Sequence, residues 1–192
     1  METRERAEAE ALSAWFAAAT PDPEAAVSLW RKNPHLPRRL PCGVAFDIVM
    51  ADRSLIARAY RLLTEYEQPL GPAVRFTSLR SAAVLVPAGT ALRWNGLMAT
   101  AQWPQGRRRP VCLGTGHVIL VPALRSTGLL AQWLELPDAD QVIGGSPLLT
   151  SPVPLARCIA EARALLRPPQ RPTSVLTTAS AFSSLLHTPQ RT

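Results

Sequence analysis

The sequence has few of the residues that build covalent or metal-bound frameworks. It contains three Cys and three His among 192 residues, and none of them is spaced as CxxC or HxxxH. Structural zinc sites take ligands paired at such short spacings, so the sequence predicts no metal site of this kind. An odd number of Cys argues against a disulfide framework, and reduced thiols are typical of a cytoplasmic protein. These residues are Cys42, Cys112, Cys158, His35, His117 and His187.

Long apolar runs are also missing. No window holds the 18 or more apolar residues of a membrane span. The acidic start of the chain, METRERAEAE, lacks the apolar centre of a secretion signal. The sequence therefore predicts a cytoplasmic protein without a membrane partner. At 47% hydrophobic residues, it carries enough apolar side chains for one domain with a full core.

Two common catalytic or nucleotide-binding motifs are not present. There is no GxSxG, and Gly144-Gly145-Ser146-Pro147 lacks the strand–turn–helix context of a nucleophile elbow. Gly114-Thr115-Gly116 is not followed by Lys-Ser/Thr, so it does not form a phosphate-binding loop of the Walker type. We interpret it as a hairpin turn, and no cofactor is predicted.

Lysine is nearly absent, and arginine supplies the positive charge. The 21 basic residues are one Lys and 20 Arg, and the net charge is +7 with a pI near 10.6. Such a charge fits nucleic-acid binding, although GC-rich codon usage also produces an Arg-, Ala- and Pro-rich chain. Two clusters are candidates for phosphate contacts, with a solvated linker or turn as the alternative for each. They are Arg31, Lys32, Arg38 and Arg39 around a Pro-rich loop, and Arg107, Arg108 and Arg109.

The periodicity of apolar residues predicts an α+β fold in which hairpins and helices alternate irregularly. Residues 1–20 are expected to form a helical extension, 21–166 the domain, and 167–192 a disordered tail rich in Pro, Ser and Thr. The predicted helices cover residues 4–19, 22–32, 54–67, 90–97 and 154–166. The predicted strands cover residues 44–50, 73–79, 82–86, 111–113, 117–121 and 129–134, with hairpins at 73–86 and 111–121.

One stretch, Leu29–Asp52, places two carboxylates on a buried strand. Nucleotidyl-transfer enzymes use such carboxylates to hold two metals about 3.5–4 Å apart. Side chains alternate along a strand, so Asp47 and Asp52 are predicted to point to opposite faces. Asp47 is expected to face a helix or the rim of a hairpin. Asp52 has an alternative role as the N-terminal residue of the helix that includes Ser54.

Three segments resemble one protein family. They are LW…NP…LPCGVAFDIVMAD within Leu29–Asp52, GPAVRFTSLRSAAVLVPAGTA at Gly71–Ala91, and LGTGHVILVPALRSTGLLAQWLELPDA at Leu113–Ala139. Over about residues 22–166 the chain is similar to the bifunctional DNA primase/polymerase N-terminal (prim-pol) domain, in particular to short stand-alone prim-pol-like proteins of high-GC bacteria. The resemblance implies a compact primase-polymerase fold with an RRM-like sheet, and a role with DNA or a nucleotide.

The acidic and His positions of active prim-pol domains are not retained. Active members carry an Asp-x-Asp or Asp-x-Glu pair, a His in a second motif and an acid in a third. The matching positions here are Met50 with Asp52, then Arg80-Ser81-Ala82-Ala83-Val84, then the neighbourhood of Val111. The family's opening strand, with its Gly-Trp pair, is not matched either, so the domain is expected to be truncated at its N-terminus.

These departures predict a catalytically degenerate module that binds nucleic acid, a nucleotide or a protein partner. Arg80 and His117 join the candidate phosphate contacts, although a single His on a strand also fits a structural role. One alternative is an active primase/polymerase that uses Asp47 and Asp52 with Mg²⁺ or Mn²⁺. The other is a scaffolding or regulatory protein in which Trp94, Trp103 and Trp133 serve packing alone.

Overall fold

A five-stranded antiparallel sheet forms the middle of the molecule. The computed structural model describes residues 2–124, 130–145 and 149–166. Its helices are α1 (Glu2–Ala17), α2 (Pro23–Lys32), α3 (Arg53–Glu65), α4 (Thr90–Thr100), α5 (Ala139–Ile143) and α6 (Pro152–Leu165). Its strands are β1 (Arg38–Pro41), β2 (Phe46–Asp52), β3 (Ala73–Phe76), β4 (Ser81–Pro87), β5 (Val111–Leu113), β6 (Val118–Val121) and β7 (Ala131–Glu135).

The order of the strands confirms the predicted α+β class and the RRM-like sheet. The large sheet runs β5-β2-β4-β3-β7, and every neighbouring pair is antiparallel. The connection β2-α3-β3-β4-α4-β5 within it is the ferredoxin-like βαββαβ arrangement. The register sets Asp52 opposite Ser81 and Met50 opposite Val111. The C-terminal end of β2 therefore meets the N-terminal ends of β4 and β5.

Both faces of the sheet are buried, which explains the nearly continuous apolar sequence of its central strands. Val49 and Val84 pack against α3, α4 and α6 on one face. Ile48 and Leu85 point the other way, into a second core with α1, α2 and a small sheet made of β1 and β6. The face that an RRM leaves open for stacking bases is thus covered here.

The N-terminal helix contributes to the second core. Residues 1–20 were predicted to be helical, and α1 spans most of them. Phe16 of this helix is fully buried, and its ring lies 5.8 Å from that of Trp133. None of the described helices is long and apolar enough to cross a bilayer. The tail predicted at 167–192 falls outside the described residues.

The prediction of a hairpin at 111–121 is wrong. β5 pairs with β2 in the large sheet, whereas β6 pairs with β1 in the small one. Residues 114–117 therefore connect two sheets. A Gly-Thr-Gly turn reverses the chain in either case, so the turn chemistry alone does not select the partner of β6.

Several helices and strands also begin or end at other residues than predicted. β2 begins at Phe46, not at Val44, and β1 lies inside the segment that was predicted to be a loop. β1 ends at Pro41, a residue that edge strands tolerate because no ladder donor is needed there. α4 continues to Thr100, and the short helix α5 was not predicted.

Candidate functional site

A cleft opens where the end of β2 meets the beginnings of β4 and β5. Its volume is about 710 Å³, within the range of ligand-binding sites. All three segments matched to the prim-pol motifs contribute to it. Its lining comprises Met50, Ala51, Asp52, Leu55, Leu79, Arg80, Ser81, Trp103, Arg108, Arg109, Pro110, Val111, Leu113 and Arg163.

The cleft has a strong positive charge, and we call it the cationic cleft. Four arginines line it, and Asp52 is its one acidic side chain. Arg80 precedes β4, Arg108 and Arg109 precede β5, and Arg163 extends from α6. Guanidinium groups match phosphate oxygens in bidentate geometry. The cleft therefore suits a polyanion better than a cation.

Two tryptophans hold the loop that carries Arg107, Arg108 and Arg109. The Trp103 indole N–H donates to the Arg107 carbonyl at 3.2 Å, and the Trp94 indole N–H donates to the Pro110 carbonyl at 3.0 Å. Both indoles are buried in the core with α3, α4 and α6. The arginine loop is thus fixed at both ends to the packed interior.

Ser81 lines the cleft, but its hydroxyl is buried. Its Oγ is buried and has no hydrogen-bond partner among the described residues. Ser81 lies opposite Asp52 in the β2–β4 ladder. A buried hydroxyl without a partner is destabilising unless a ligand or water completes it. The Oγ atom itself is shielded from the open volume of the cleft, so the cleft surface near Asp52 is formed by the other atoms of Ser81.

Asp52 caps a helix, as its alternative role predicted. Its Oδ1 accepts from the Ser54 backbone N–H at 2.9 Å and from the Ser54 hydroxyl at 2.6 Å. The hydroxyl hydrogen bond is the main cause that lowers the pKa of Asp52, and the charge of Arg80 adds to the effect. The carboxylate thus serves the first turn of α3.

Asp47 lies away from the cleft and caps a second helix. It is only 1% exposed, and its Oδ2 accepts from the Ala91 backbone N–H at 2.8 Å. The local N-cap of α4, Gly89, has no side chain to fill this role. The two residues are five positions apart on the strand, which puts their Cα atoms about 16 Å apart. Asp52 caps α3 at the C-terminal end of β2, and Asp47 caps α4 near its N-terminal end.

The donor set does not fit the two-metal site of an active prim-pol domain. Among the described residues, no group of three or more His, Cys, Asp or Glu could hold a metal ion. Bridged metals need ligands within a few ångströms of one another, whereas Asp47 and Asp52 are held apart by their caps.

The other predicted contact residues lie outside the cleft. Arg31 and Lys32 end α2, and Arg39 is exposed on β1. His117 is exposed in the connection between the two sheets, with its Nδ1 3.2 Å from the Gly114 carbonyl oxygen. Arg107 is exposed and contributes its carbonyl to Trp103.

Arg38 was predicted to lie in or beside a loop as a candidate phosphate contact, and the loop is wrong because Arg38 begins β1. Arg38 is only 4% exposed and lies under α1 and α2. The strand β1 alternates, so Arg38 and Leu40 point inward while Arg39 points to solvent. Adjacent arginines in the sequence thus have opposite environments.

Ser81, Trp103 and Arg163 were not predicted as cleft residues. Ser81 had a signal, since it falls within the segment matched to the second prim-pol motif. Arg163 is distant in the sequence, and the polar side of α6 gives no indication of which arginine approaches the sheet. Only the packing of α6 against α3 brings it to the cleft.

The chain was compared with protein families, with curated proteins and with solved structures, and none of these comparisons gave a match.

Proposed function

We propose that this protein is a prim-pol-like domain that binds single-stranded nucleic acid in the cationic cleft and does not transfer nucleotides. The observation that carries the proposal is the composition of the cleft, which is lined by four arginines and by one carboxylate that already caps α3. Such a site attracts phosphates and offers no adequate ligand set to a divalent metal.

The position of the cleft supports the family resemblance. The segments around Met50–Asp52, Arg80–Ser81 and Val111 are distant in sequence, and the strand register sets them side by side. A match of three separate motifs to one surface is expected if the chain descends from an enzyme whose active site lay there.

The cleft favours recognition of the phosphate backbone over recognition of bases. Its lining contains a single aromatic side chain, Trp103, whose N–H already donates to Arg107. The sheet face that stacks bases in an RRM is covered by α1, α2 and the small sheet. We therefore expect strong dependence on salt and little preference for sequence.

Fluorescence anisotropy with a labelled single-stranded DNA, titrated at several salt concentrations, tests this proposal. Replacing Arg80, Arg108 and Arg109 by Ala together should weaken binding and lower the slope of log K against log salt by about 2, since each lost phosphate contact removes about 0.7. A matched control replaces Arg39, Arg61 and Arg93, which are exposed outside the cleft, and should leave most of the affinity intact.

Two results would contradict the proposal. The first is no binding by the wild type even at low salt, and the second is an equal loss in the control variant, which would indicate general charge attraction. Primer synthesis with Mn²⁺ tests the absence of nucleotidyl transfer. Incorporation by the wild type that Asp52→Ala abolishes would show that the carboxylate is catalytic.

A further inference from the structure

A second cavity lies between α1 and α2, on the other side of the large sheet from α3, α4 and α6. Its volume is about 360 Å³, which fits a small organic molecule. Most of its wall is apolar, and a few polar side chains converge on one part of it. The lining comprises Arg6, Ala9, Glu10, Ser13, Val27, Trp30, Arg31, Pro34, Arg38 and Leu124.

Arg38 is the buried polar group of this cavity. Only 4% of this residue is exposed to solvent. Nη2 donates to the Ser13 hydroxyl at 3.0 Å. Nε and Nη1 are buried and have no partner among the described residues. These two nitrogens carry three of the five guanidinium N–H bonds.

Trp30 fixes the guanidinium in place. The Arg38 Cζ lies 4.4 Å from the centre of the Trp30 ring, which is itself buried, and 6.0 Å from the centre of the Phe16 ring. The cation–π contact stabilises the charge but provides no hydrogen-bond acceptor. Burial lowers the pKa of Arg38 to about 10, so the group stays cationic at neutral pH.

A cation in this position is costly without an anion beside it. Removing an ion from water is strongly unfavourable unless a partner offsets the loss. Glu10 is the one acidic side chain of the lining, and its carboxylate pairs instead with Arg6 at 3.3 Å, where both groups are exposed. The described residues therefore supply no anionic partner for Arg38.

We propose that this cavity binds a small organic monocarboxylate, which pairs with Arg38 and rests its apolar body against Trp30 and Val27. A planar carboxylate matches the guanidinium fork. Glu10 is paired with Arg6, so Arg31 and Arg38 leave the lining with a net positive charge that suits an anion. The apolar wall favours an organic anion over inorganic phosphate, which has no apolar body to place against it. The site is separate from the cationic cleft, so the inference does not depend on nucleic-acid binding.

Benzoate is a suitable probe, with the neutral benzamide as its matched control. Benzoate at millimolar concentration should raise the Tm of the wild type in proportion to its occupancy, whereas benzamide should not. In the wild type it should also shift the Arg38 Nε–H resonance in a ¹⁵N–¹H spectrum, a measurement that needs no variant.

Variants then assign the effect to Arg38. Arg38→Met keeps the length of the side chain and removes a buried charge, so it is expected to fold and to lose benzoate affinity at least tenfold. Arg39→Met, on the exposed side of the same strand, should retain it. Glu10→Gln should bind benzoate as well as or better than the wild type, because a negative charge leaves the mouth of the cavity.

Three results would overturn the inference. Benzoate could leave the Tm and the Arg38 resonance unchanged, or inorganic phosphate could replace benzoate as the stabilising anion. Alternatively, Glu10→Gln could shift the Arg38 resonance and lower the Tm without any ligand, which would show that Glu10 is the partner in solution.

Discussion

The removal of the Asp47 carboxylate distinguishes a structural role from a catalytic one. In Asp47→Ala the Ala91 N–H, at the start of α4, loses the acceptor that lies 2.8 Å away. No neighbouring side chain replaces it, because Gly89 is the local N-cap and provides no side-chain hydrogen bond. We therefore expect α4 to be weakened at its first turn.

The expected loss of stability is about 2 kcal/mol. Loss of a side-chain N-cap costs about 0.5–2 kcal/mol, and a hydrogen bond to a charged group contributes about 1.5–3 kcal/mol. A partial gain opposes these costs, since Oδ1 of Asp47 is buried without a partner among the described residues. For a chain of this length, about 2 kcal/mol corresponds to a decrease in Tm of about 4–8 °C.

Urea denaturation of the wild type, Asp47→Ala and Asp47→Asn measures the effect. Asn keeps an oxygen that can accept from Ala91, so it should lose less stability than Ala. Asp52→Ala is a second reference, because it removes an exposed cap of α3. If Asp47→Ala were as stable as the wild type or more stable, the capping role would be refuted. A carboxylate retained for chemistry at a cost in stability would give that outcome.

Two further predictions concern Asp52 and Gly43. The pKa of Asp52 is lowered in the folded state, so its contribution to stability is present above the unfolded-state pKa and is lost as the pH falls through the lower folded-state value. The stability difference between the wild type and Asp52→Asn, measured by urea denaturation, should therefore be full near about pH 6 and decrease steadily as the pH is lowered from there. A difference in stability that stays constant as the pH is lowered would contradict the capping role of Asp52. Gly43→Ala should destabilise the fold by more than about 2 kcal/mol, because Gly43 has φ +96° and an added Cβ would lie 2.5 Å from the Thr115 backbone nitrogen. Gly116→Ala, with φ +88° and no atom within 4 Å of the added Cβ, should cost only the backbone strain of about 1–2 kcal/mol; equal effects in the two variants would show that the contact with Thr115 is unimportant.

The elements set by local patterns were predictable from the sequence. α3 has apolar residues at helical spacing, a cap at Asp52 and a buried side that includes Leu55 and Leu63. The β3–β4 hairpin was predicted near its observed place because two short apolar runs are joined by a short turn. The pairing of β6 was not predictable, because strands of four residues carry no local information about their partner, and only the packing of α1 and α2 over the small sheet selects β1.

The arginines of the cleft were only partly predictable. Arg80, Arg108 and Arg109 stood out through clustering or through their position in a matched motif. Arg38 belonged to an equally strong cluster, yet the alternation of β1 turns it inward beneath Trp30. Charge density along the sequence shows that arginines are present, but the direction of each side chain depends on the strand or helix in which it lies.

Each carboxylate of β2 stabilises the start of a helix. Asp52 caps α3 and Asp47 caps α4, so each supports one of the two helices of the βαββαβ unit. Met50 leaves the end of β2 with one carboxylate against four arginines. That balance repels a divalent cation and attracts an anion, which is the reason that the ligand proposed for the cleft is a phosphate backbone and not a metal.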